Sequence, residues 1–86
     1  MAHIDDKPLT IDDSATYCIE LQGALEHGWQ DSLGDMRIQV RRAKSGRAVT
    51  TLTGRVTDQA ALAGILGLVY DLGMPLLSVE CLGPVH

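Results

Sequence analysis

Residues 48–82 read AVTTLTGRVTDQAALAGILGLVYDLGMPLLSVECL, and this stretch decides the fold. Its first part is rich in valine and threonine, whose β-branched side chains favour a strand over about residues 48–56. Apolar residues then recur at spacings of three and four, which is the pattern of a helix that faces a core. The core-facing positions of this helix are Leu62, Ile65, Leu66 and Val69.

This helix has a recognisable beginning and end, and a strand follows it. Thr57 or Asp58 supplies a side-chain oxygen that accepts a free backbone N–H of the first turn. Gly73 suits the left-handed position that ends a helix, and Pro75 prevents its continuation. Apolar residues then alternate with polar ones, which predicts a last strand over residues 75–82. Its core-facing residues are Leu77, Val79 and Cys81.

Upstream of residue 48, the pattern predicts two further strands and a short helix. Alternation of apolar and polar residues indicates one strand that begins near Ala15 and another that begins at Met36. A polar turn that contains a glycine, Lys44–Arg47, then predicts a hairpin. Between the first two strands, three apolar residues at a spacing of four predict a short helix: Leu25, Trp29 and Leu33.

The predicted element order is β-α-β-β-α-β, which indicates an α+β fold of the ferredoxin-like type. Right-handed crossovers give a four-stranded antiparallel sheet in the order 4-1-3-2, with two helices on one face. Residues 15–86 are predicted to form this single domain, since 86 residues leave no room for a second core. Gly64 and Gly67 each cost the second helix about 1 kcal/mol relative to alanine, so we expect close packing on that surface.

The net charge of −4 is concentrated at the N-terminus. Residues 1–14 carry −3 and are predicted to be a flexible acidic leader, whereas residues 15–86 carry −1. Because nucleic-acid binding depends on clustered lysine and arginine, a nearly neutral domain is a poor match for that partner. The apolar stretch at residues 60–70 is too short to span a membrane, and no secretory segment precedes it. We therefore predict a cytoplasmic protein without membrane contacts.

Three aromatic residues and no phenylalanine predict a small aliphatic core. We expect Trp29 to be its main anchor and a partner chain to help complete it. Cys18 and Cys81 fall on opposite faces of neighbouring strands, which disulfide geometry does not allow, so both are expected to be free thiols. The cysteines and the three scattered histidines form no zinc ligand set, and no metal or other cofactor is expected.

The sheet face without helices is predicted to be a mixed polar surface. An antiparallel sheet commonly exposes one face to solvent. The alternative is that this open face, or the outer helix surface, docks a second copy of the chain in a homodimer. Glu20 or Glu80 would then pair with Arg37 or Arg41 of the second copy. RNA binding by base stacking is not expected, because the face has no exposed aromatic side chain.

A basic run at residues 41–47 lies at the predicted hairpin tip. It is a candidate contact for a phosphate or an acidic partner. The alternative is a solvated tip, because arginines on an edge strand also prevent aggregation. The candidate contact residues in this run are Arg41, Arg42 and Arg47. Arg37, at the start of the strand that leads to the tip, is added to them.

Trp29, Asp58 and Gln59 form a second group of candidate contacts. Asp58 can simply cap the helix while Gln59 bonds the preceding turn; alternatively, the pair lines a pocket mouth with Trp29 for a small-molecule ligand. His27 and Asp31 lie nearby and make an enzyme the third candidate function. No nucleophile, phosphate loop or catalytic set accompanies them, so no catalytic residue is assigned.

Two motifs carry a family resemblance: LTGRVTDQAALAGIL at residues 52–66 and DLGMPLLSV at residues 71–79. In these motifs, and over nearly all of residues 17–82, the chain resembles a family of small uncharacterised bacterial proteins. The resemblance implies a free-standing domain and no assigned activity. We expect a small non-catalytic interaction or regulatory domain that acts through homodimerisation or partner binding. The alternative is a sensor of the ACT-like type, which binds a small metabolite at a subunit interface.

Overall fold

Four strands form one antiparallel sheet in the computed structural model, which describes residues 13–84. In chain order these are β1 (Ala15–Gln22), β2 (Arg37–Arg42), β3 (Ala48–Val56) and β4 (Leu76–Pro84). Their spatial order is β2–β3–β1–β4, which is the predicted order 4-1-3-2 seen from the other edge. This part of the fold prediction is confirmed. Most of the predicted leader, residues 1–12, lies outside the described residues.

One α-helix, α1, spans Gln59–Asp71 and connects β3 to β4. The Asp58 carboxylate caps it by accepting the Ala61 N–H at 2.8 Å. Gly73 follows the helix with a φ of +73°, the left-handed conformation that glycine adopts without strain. Both predicted ends are therefore confirmed. Of the predicted core-facing residues of this helix, Leu62 and Val69 are buried. Ile65 and Leu66 are partly buried.

The prediction of two α-helices on one face is wrong. His27–Leu33 forms a 3-10 helix, so the described residues make an α+β fold with one α-helix and not the predicted ferredoxin-like sandwich. This segment starts without a side-chain cap at Glu26, and Gly34 ends it after seven residues at a φ of +63°. Such a short, uncapped connection suits three residues per turn better than a full α-helix. The Gln30 side-chain amide closes the segment by donating to the carbonyl oxygen of Met36.

The core lies on one face of the sheet, and its largest fully buried side chains are Ile19, Leu21, Met36, Leu52 and Thr50. Trp29 is only half-buried and packs against the margin of this core, so the prediction that it is the main anchor is wrong. A 3-10 helix turns by about 120° per residue, so a spacing of four does not stack Trp29 on Leu33, and Leu25 lies before the helix begins. The buried aromatic side chain is Tyr17 of β1.

A buried threonine ties the loop after β1 to β3. The Thr50 hydroxyl accepts the Leu25 N–H at 3.0 Å and donates to the Gly23 carbonyl oxygen at 2.7 Å. The buried hydroxyl therefore both donates and accepts a hydrogen bond, and buried polar groups generally need such partners. This contact holds Leu25 in the core and sets where the 3-10 helix begins.

The glycines show where the chain is closely packed and where it is not. A Cβ at Gly54 would lie 2.6 Å from the Asp35 carbonyl oxygen and 2.9 Å from the Met36 Cα, so the segment that enters β2 crosses β3 here. A Cβ at Gly64 or Gly67 of α1 would meet nothing within 4 Å. The close packing expected on this helix surface is therefore not found among the described residues.

Candidate functional site

Exposed apolar side chains are concentrated at one edge of the sheet. Among the described residues, five large apolar side chains are exposed, and four of them belong to the end of α1 or to β4. Tyr70 is 83% exposed, Leu77 50%, Leu76 49% and Val79 41%. These four residues are called the apolar edge below. The fifth, Val40, is 43% exposed and lies on β2 at the opposite edge.

Within residues 13–84, β4 is an edge strand that pairs with β1 alone, so the backbone groups on its outer side have no partner strand in this range. Residues 76–82 read LLSVECL and contain no lysine, arginine or proline, the residues that usually block the addition of another strand. Glu80 is the single charged residue of this segment. The apolar edge therefore combines unpaired backbone groups with exposed aliphatic side chains.

The register between β1 and β4 places Val79 opposite Ile19 and Cys81 opposite Tyr17, on the face that carries the core. Both residues lie on the predicted face. Cys18 lies on the other face and both cysteines are free, as predicted. Val79 remains exposed despite its orientation, because the helix layer does not cover the outermost strand.

Two residues of β4 interrupt its pairing with β1. The register shifts once near each end of the strand, which leaves Leu77 and Leu82 without a partner residue in β1. Such bulges bend the strand and break the alternation of its side chains. Leu77 therefore stands outside the regular pairing of β4, and it is half exposed. Regular pairing with β1 is confined to residues 78–81.

The β2 edge is charged, and two of its three arginines contact their own chain. The Arg41 guanidinium donates to the Glu20 carboxylate at 2.9 Å. Arg42 donates to the Gly46 carbonyl oxygen at 2.9 Å and so braces the hairpin turn. These contacts fit the interpretation of the basic run as a protected edge better than that of a ligand site.

The hairpin tip itself is a short, well-bonded turn. The Ala43 N–H donates to the Arg47 carbonyl oxygen at 2.9 Å, and Gly46 takes a φ of +86°. Arg47 is exposed, and its N–H contacts the Ser45 hydroxyl at 3.4 Å. The tip therefore presents the exposed side chains of Lys44 and Arg47 to solvent.

The open face of the sheet is polar, as predicted. The carboxylate of Glu20, on the central strand β1, is hydrogen-bonded within the chain. Glu20 accepts hydrogen bonds from Arg41 and from the Ser78 hydroxyl, the latter at 3.2 Å. The bond from Arg41 and, after it, the bond from Ser78 hold the pKa of the Glu20 carboxyl below its ordinary value. Within one chain, the Glu20 carboxylate is therefore already paired with Arg41.

Asp58, Gln59 and Trp29 serve three separate structural purposes. Asp58 caps α1, Trp29 packs against the margin of the core, and the Gln59 amide donates to the Tyr17 hydroxyl at 2.6 Å. Burial, followed by the neighbouring Cys81, raises the pKa of the Tyr17 phenol, while the bond from Gln59 opposes this rise. These contacts give each of the three residues a structural role that does not require the predicted pocket mouth.

Two open clefts lie near the start of β2, away from the apolar edge. A cleft of about 190 Å³ between the 3-10 helix and α1 is lined by residues that include Leu33, Asp35, Arg55, Thr57 and Ile65. A cleft of about 350 Å³ on the open face is lined by Asp35, Arg37, Gln39, Thr53 and Gly54. Sites for small molecules usually occupy about 300–1,000 Å³ and enclose most of the ligand. The first cleft is smaller than this range, and the second is an open depression.

Residues 13–84 contain neither a metal-ligand cluster nor a membrane-spanning helix. No group of three or more histidine, cysteine, aspartate or glutamate side chains in this range is arranged to hold a metal ion. No helix in the same range is long and apolar enough to cross a membrane. The apolar edge is therefore the most distinctive surface of the described chain.

Comparison with protein families gives one match. A family model described as a domain of unknown function, DUF8691, matches residues 16–80. The chain belongs to this family. The DUF8691 match runs from the start of β1 into β4 and includes all four residues of the apolar edge. No curated protein and no solved structure matches the chain at a significant level of similarity.

The apolar edge of the DUF8691 domain is absent from the sequence-based predictions, although the sequence carries a signal for it. The segment LLSVECL follows a helix and lacks the basic residues found in the other candidate edge strand, RIQVRR. The pattern places Leu77 and Val79 on the core face, but an alternating pattern shows which side chains share a face and not whether another layer covers it.

Proposed function

We propose that the chain is a non-catalytic interaction domain that acts as a homodimer, and that two copies associate through the apolar edge. The observation that carries this proposal is the position of the exposed apolar side chains. Leu76, Leu77 and Val79 lie on β4, Tyr70 lies near the end of the helix that precedes it, and the outer side of β4 has no partner strand within residues 13–84. Such patches on a small domain usually mark a contact with another protein.

The gain from covering this edge is large for a domain of this size. Full burial of a leucine or valine side chain contributes about 1.5–3 kcal/mol. Because Leu76, Leu77 and Val79 are each about half exposed, covering each of them contributes roughly 1 kcal/mol. The core contains neither phenylalanine nor a buried tryptophan, so an interface would add substantially to the apolar area that the chain buries.

Other surfaces support association less well. On the open face, Glu20 is already paired with Arg41, and a second copy would have to displace that contact. The β2 edge carries Arg37, Arg41 and Arg42, which oppose the approach of an identical strand. The outer surface of α1 exposes alanine and glycine residues, which bury less apolar area in a contact than leucine or valine.

The second candidate function is a sensor that binds a small metabolite between subunits. The observation in its favour is the 350 Å³ cleft that contains Arg37, which suits an anionic ligand. This cleft is lined by residues 35–39 and 53–54, whereas the apolar edge lies on the far side of β1. The geometry therefore supports association at β4 more directly than ligand binding at the subunit contact.

Light scattering coupled to size exclusion tests the proposed function over a range of loading concentrations. We expect a mass near twice the 9.2 kDa of the chain, and a melting temperature that rises with protein concentration. A 9.2 kDa species at every concentration would overturn the proposal. A thermal-shift screen of small anions addresses the sensor, since a ligand at 100 times its Kd adds about 2.7 kcal/mol of stability. If Arg37→Ala abolishes such a shift while the mass stays unchanged, the sensor is favoured.

A further inference from the structure

We infer that the two copies join β4 to β4 in antiparallel orientation, with Val79 of one chain directly opposite Val79 of the other. This inference rests on the proposed homodimer and specifies its geometry. The two four-stranded sheets then become one sheet of eight strands across the dimer axis. Because this axis runs perpendicular to the sheet, the α1 helices of both copies lie on the same face.

The bulges in β4 restrict where such pairing can occur. Leu77 and Leu82 have no partner residue in β1, so the regular part of the strand is residues 78–81. A symmetric antiparallel pair must be centred on a residue, because residues that face each other lie on the same side of the sheet. The regular segment offers two inner positions for this centre, Val79 and Glu80.

Charge distinguishes these two registers. A pair centred on Glu80 places its carboxylate directly opposite the same carboxylate of the second copy, and like charges in this position are destabilising. A pair centred on Val79 places Glu80 opposite the hydroxyl of Ser78, so no two carboxylates face each other. Val79 itself then loses the solvent exposure of its core-side face.

The same register also accounts for the outer residues of the edge. Leu77 faces the position of Cys81 in the second copy, which is half-buried beside Tyr17. The exposed leucine at the bulge therefore approaches an existing apolar margin. On the opposite β2 edge, the hairpin arginines would prevent equivalent pairing, which limits the assembly to two chains.

Cysteine cross-linking tests the register in a background where Cys18 is serine and Cys81 is alanine. Three single variants are compared under mild oxidation: Ser78→Cys, Val79→Cys and Glu80→Cys. Directly opposed residues in an antiparallel pair have Cα atoms about 4.5–5.5 Å apart, within the range of a disulfide. In the proposed register, two copies of residue 78, or two copies of residue 80, lie about 8 Å apart, beyond that range.

We expect Val79→Cys to form a covalent dimer, and Ser78→Cys or Glu80→Cys alone to form at least ten-fold less. An equal mixture of the Ser78→Cys and Glu80→Cys chains should cross-link, because these positions face each other. Efficient cross-linking of Glu80→Cys or Ser78→Cys alone would overturn the register. A background protein that is dimeric by light scattering but cross-links at none of the three positions would overturn β4 pairing while leaving the homodimer intact. A monomeric background protein would overturn both.

Discussion

The two edges of this sheet solve the same physical problem in opposite ways. In the described part of the chain, both β2 and β4 are edge strands with backbone groups that pair with no other strand. β2 reads RIQVRR and places arginines along its length, while β4 contains LLSVECL with one charge. Each edge also carries a valine of nearly equal exposure, 43% for Val40 and 41% for Val79. The difference between the edges therefore lies in the charges and leucines that surround each valine.

This difference shows that exposure alone does not define a contact surface. Val40 is flanked by Gln39 and Arg41, and strand addition there would bring arginines of two chains together. Val79 lies close to Leu77 and Leu76, and covering all three buries a continuous apolar area. Four experiments test this contrast and the packing that supports it, and they follow in order of decreasing expected effect.

The largest effect concerns the backbone crossing that positions the β2 edge. Gly54→Ala places a methyl group 2.6 Å from the Asp35 carbonyl oxygen, so the segment entering β2 has to shift. We expect a loss of about 3 kcal/mol in the free energy of unfolding, measured by urea denaturation. Gly64→Ala is the matched control, because a Cβ there meets nothing within 4 Å. It should stabilise the chain by up to about 1 kcal/mol and leave the mass unchanged. Equal losses for the two variants would contradict the crossing.

The two exposed valines allow a direct comparison of the edges. Val79→Lys introduces a charge into the apolar edge, and we expect dimer dissociation to increase about 100-fold, which corresponds to about 2.7 kcal/mol. Val40→Lys makes the same change at similar exposure on β2 and should leave the dimer unaffected. Sedimentation velocity over a dilution series measures both. Weaker association of Val40→Lys than of Val79→Lys would reverse the roles assigned to the two edges.

The packing beneath β4 can be followed through the titration of Tyr17. In a Tyr70→Phe background, absorbance at the phenolate band reports Tyr17 alone, and its pKa should exceed that of the same chain unfolded in urea. Because the pKa of Tyr17 is raised in the folded state, the neutral phenol contributes to the free energy of unfolding below the ordinary pKa of 10.0. This contribution is lost as the pH rises through the pKa of the folded state. Gln59→Leu removes a bond that lowers the pKa, so it should raise the pKa further and cost about 1 kcal/mol. A fall in the Tyr17 pKa in Gln59→Leu would contradict the assigned contact.

The smallest effect concerns the contact that joins the β2 edge to β1. Glu20→Gln removes the ion pair with Arg41 and should cost about 0.2–1 kcal/mol at neutral pH, since the pair is exposed. The pKa of Glu20 is lowered in the folded state, so its contribution is present above the ordinary value of 4.5 and disappears as the pH falls through the folded value. Urea denaturation at neutral and acidic pH should therefore show a difference from the unsubstituted protein only at neutral pH. Arg37→Gln, which removes a β2 cation without touching Glu20, should show no such pH-dependent difference.

Much of the fold could be predicted from the sequence because its signals are local. Alternating side chains located the strands, and the Asp58 cap and Gly73 located the ends of α1. The 3-10 helix could not be predicted from the spacing of Leu25, Trp29 and Leu33, because a spacing of four does not show whether the ends of a helix are capped. The two bulges of β4 were equally hidden, since they depend on its register with β1.

For the candidate site, the sequence determined which residue types stand on each strand, including the arginines of β2 and the leucines of β4. Only the tertiary structure decided that Arg41 is paired with Glu20, that Gln59 bonds Tyr17, and which strand is left uncovered. The physical reason is that a periodic pattern specifies a face of one element. Burial, by contrast, depends on which other elements reach that face, and β4 lies at the edge of the sheet where the helix layer does not cover it.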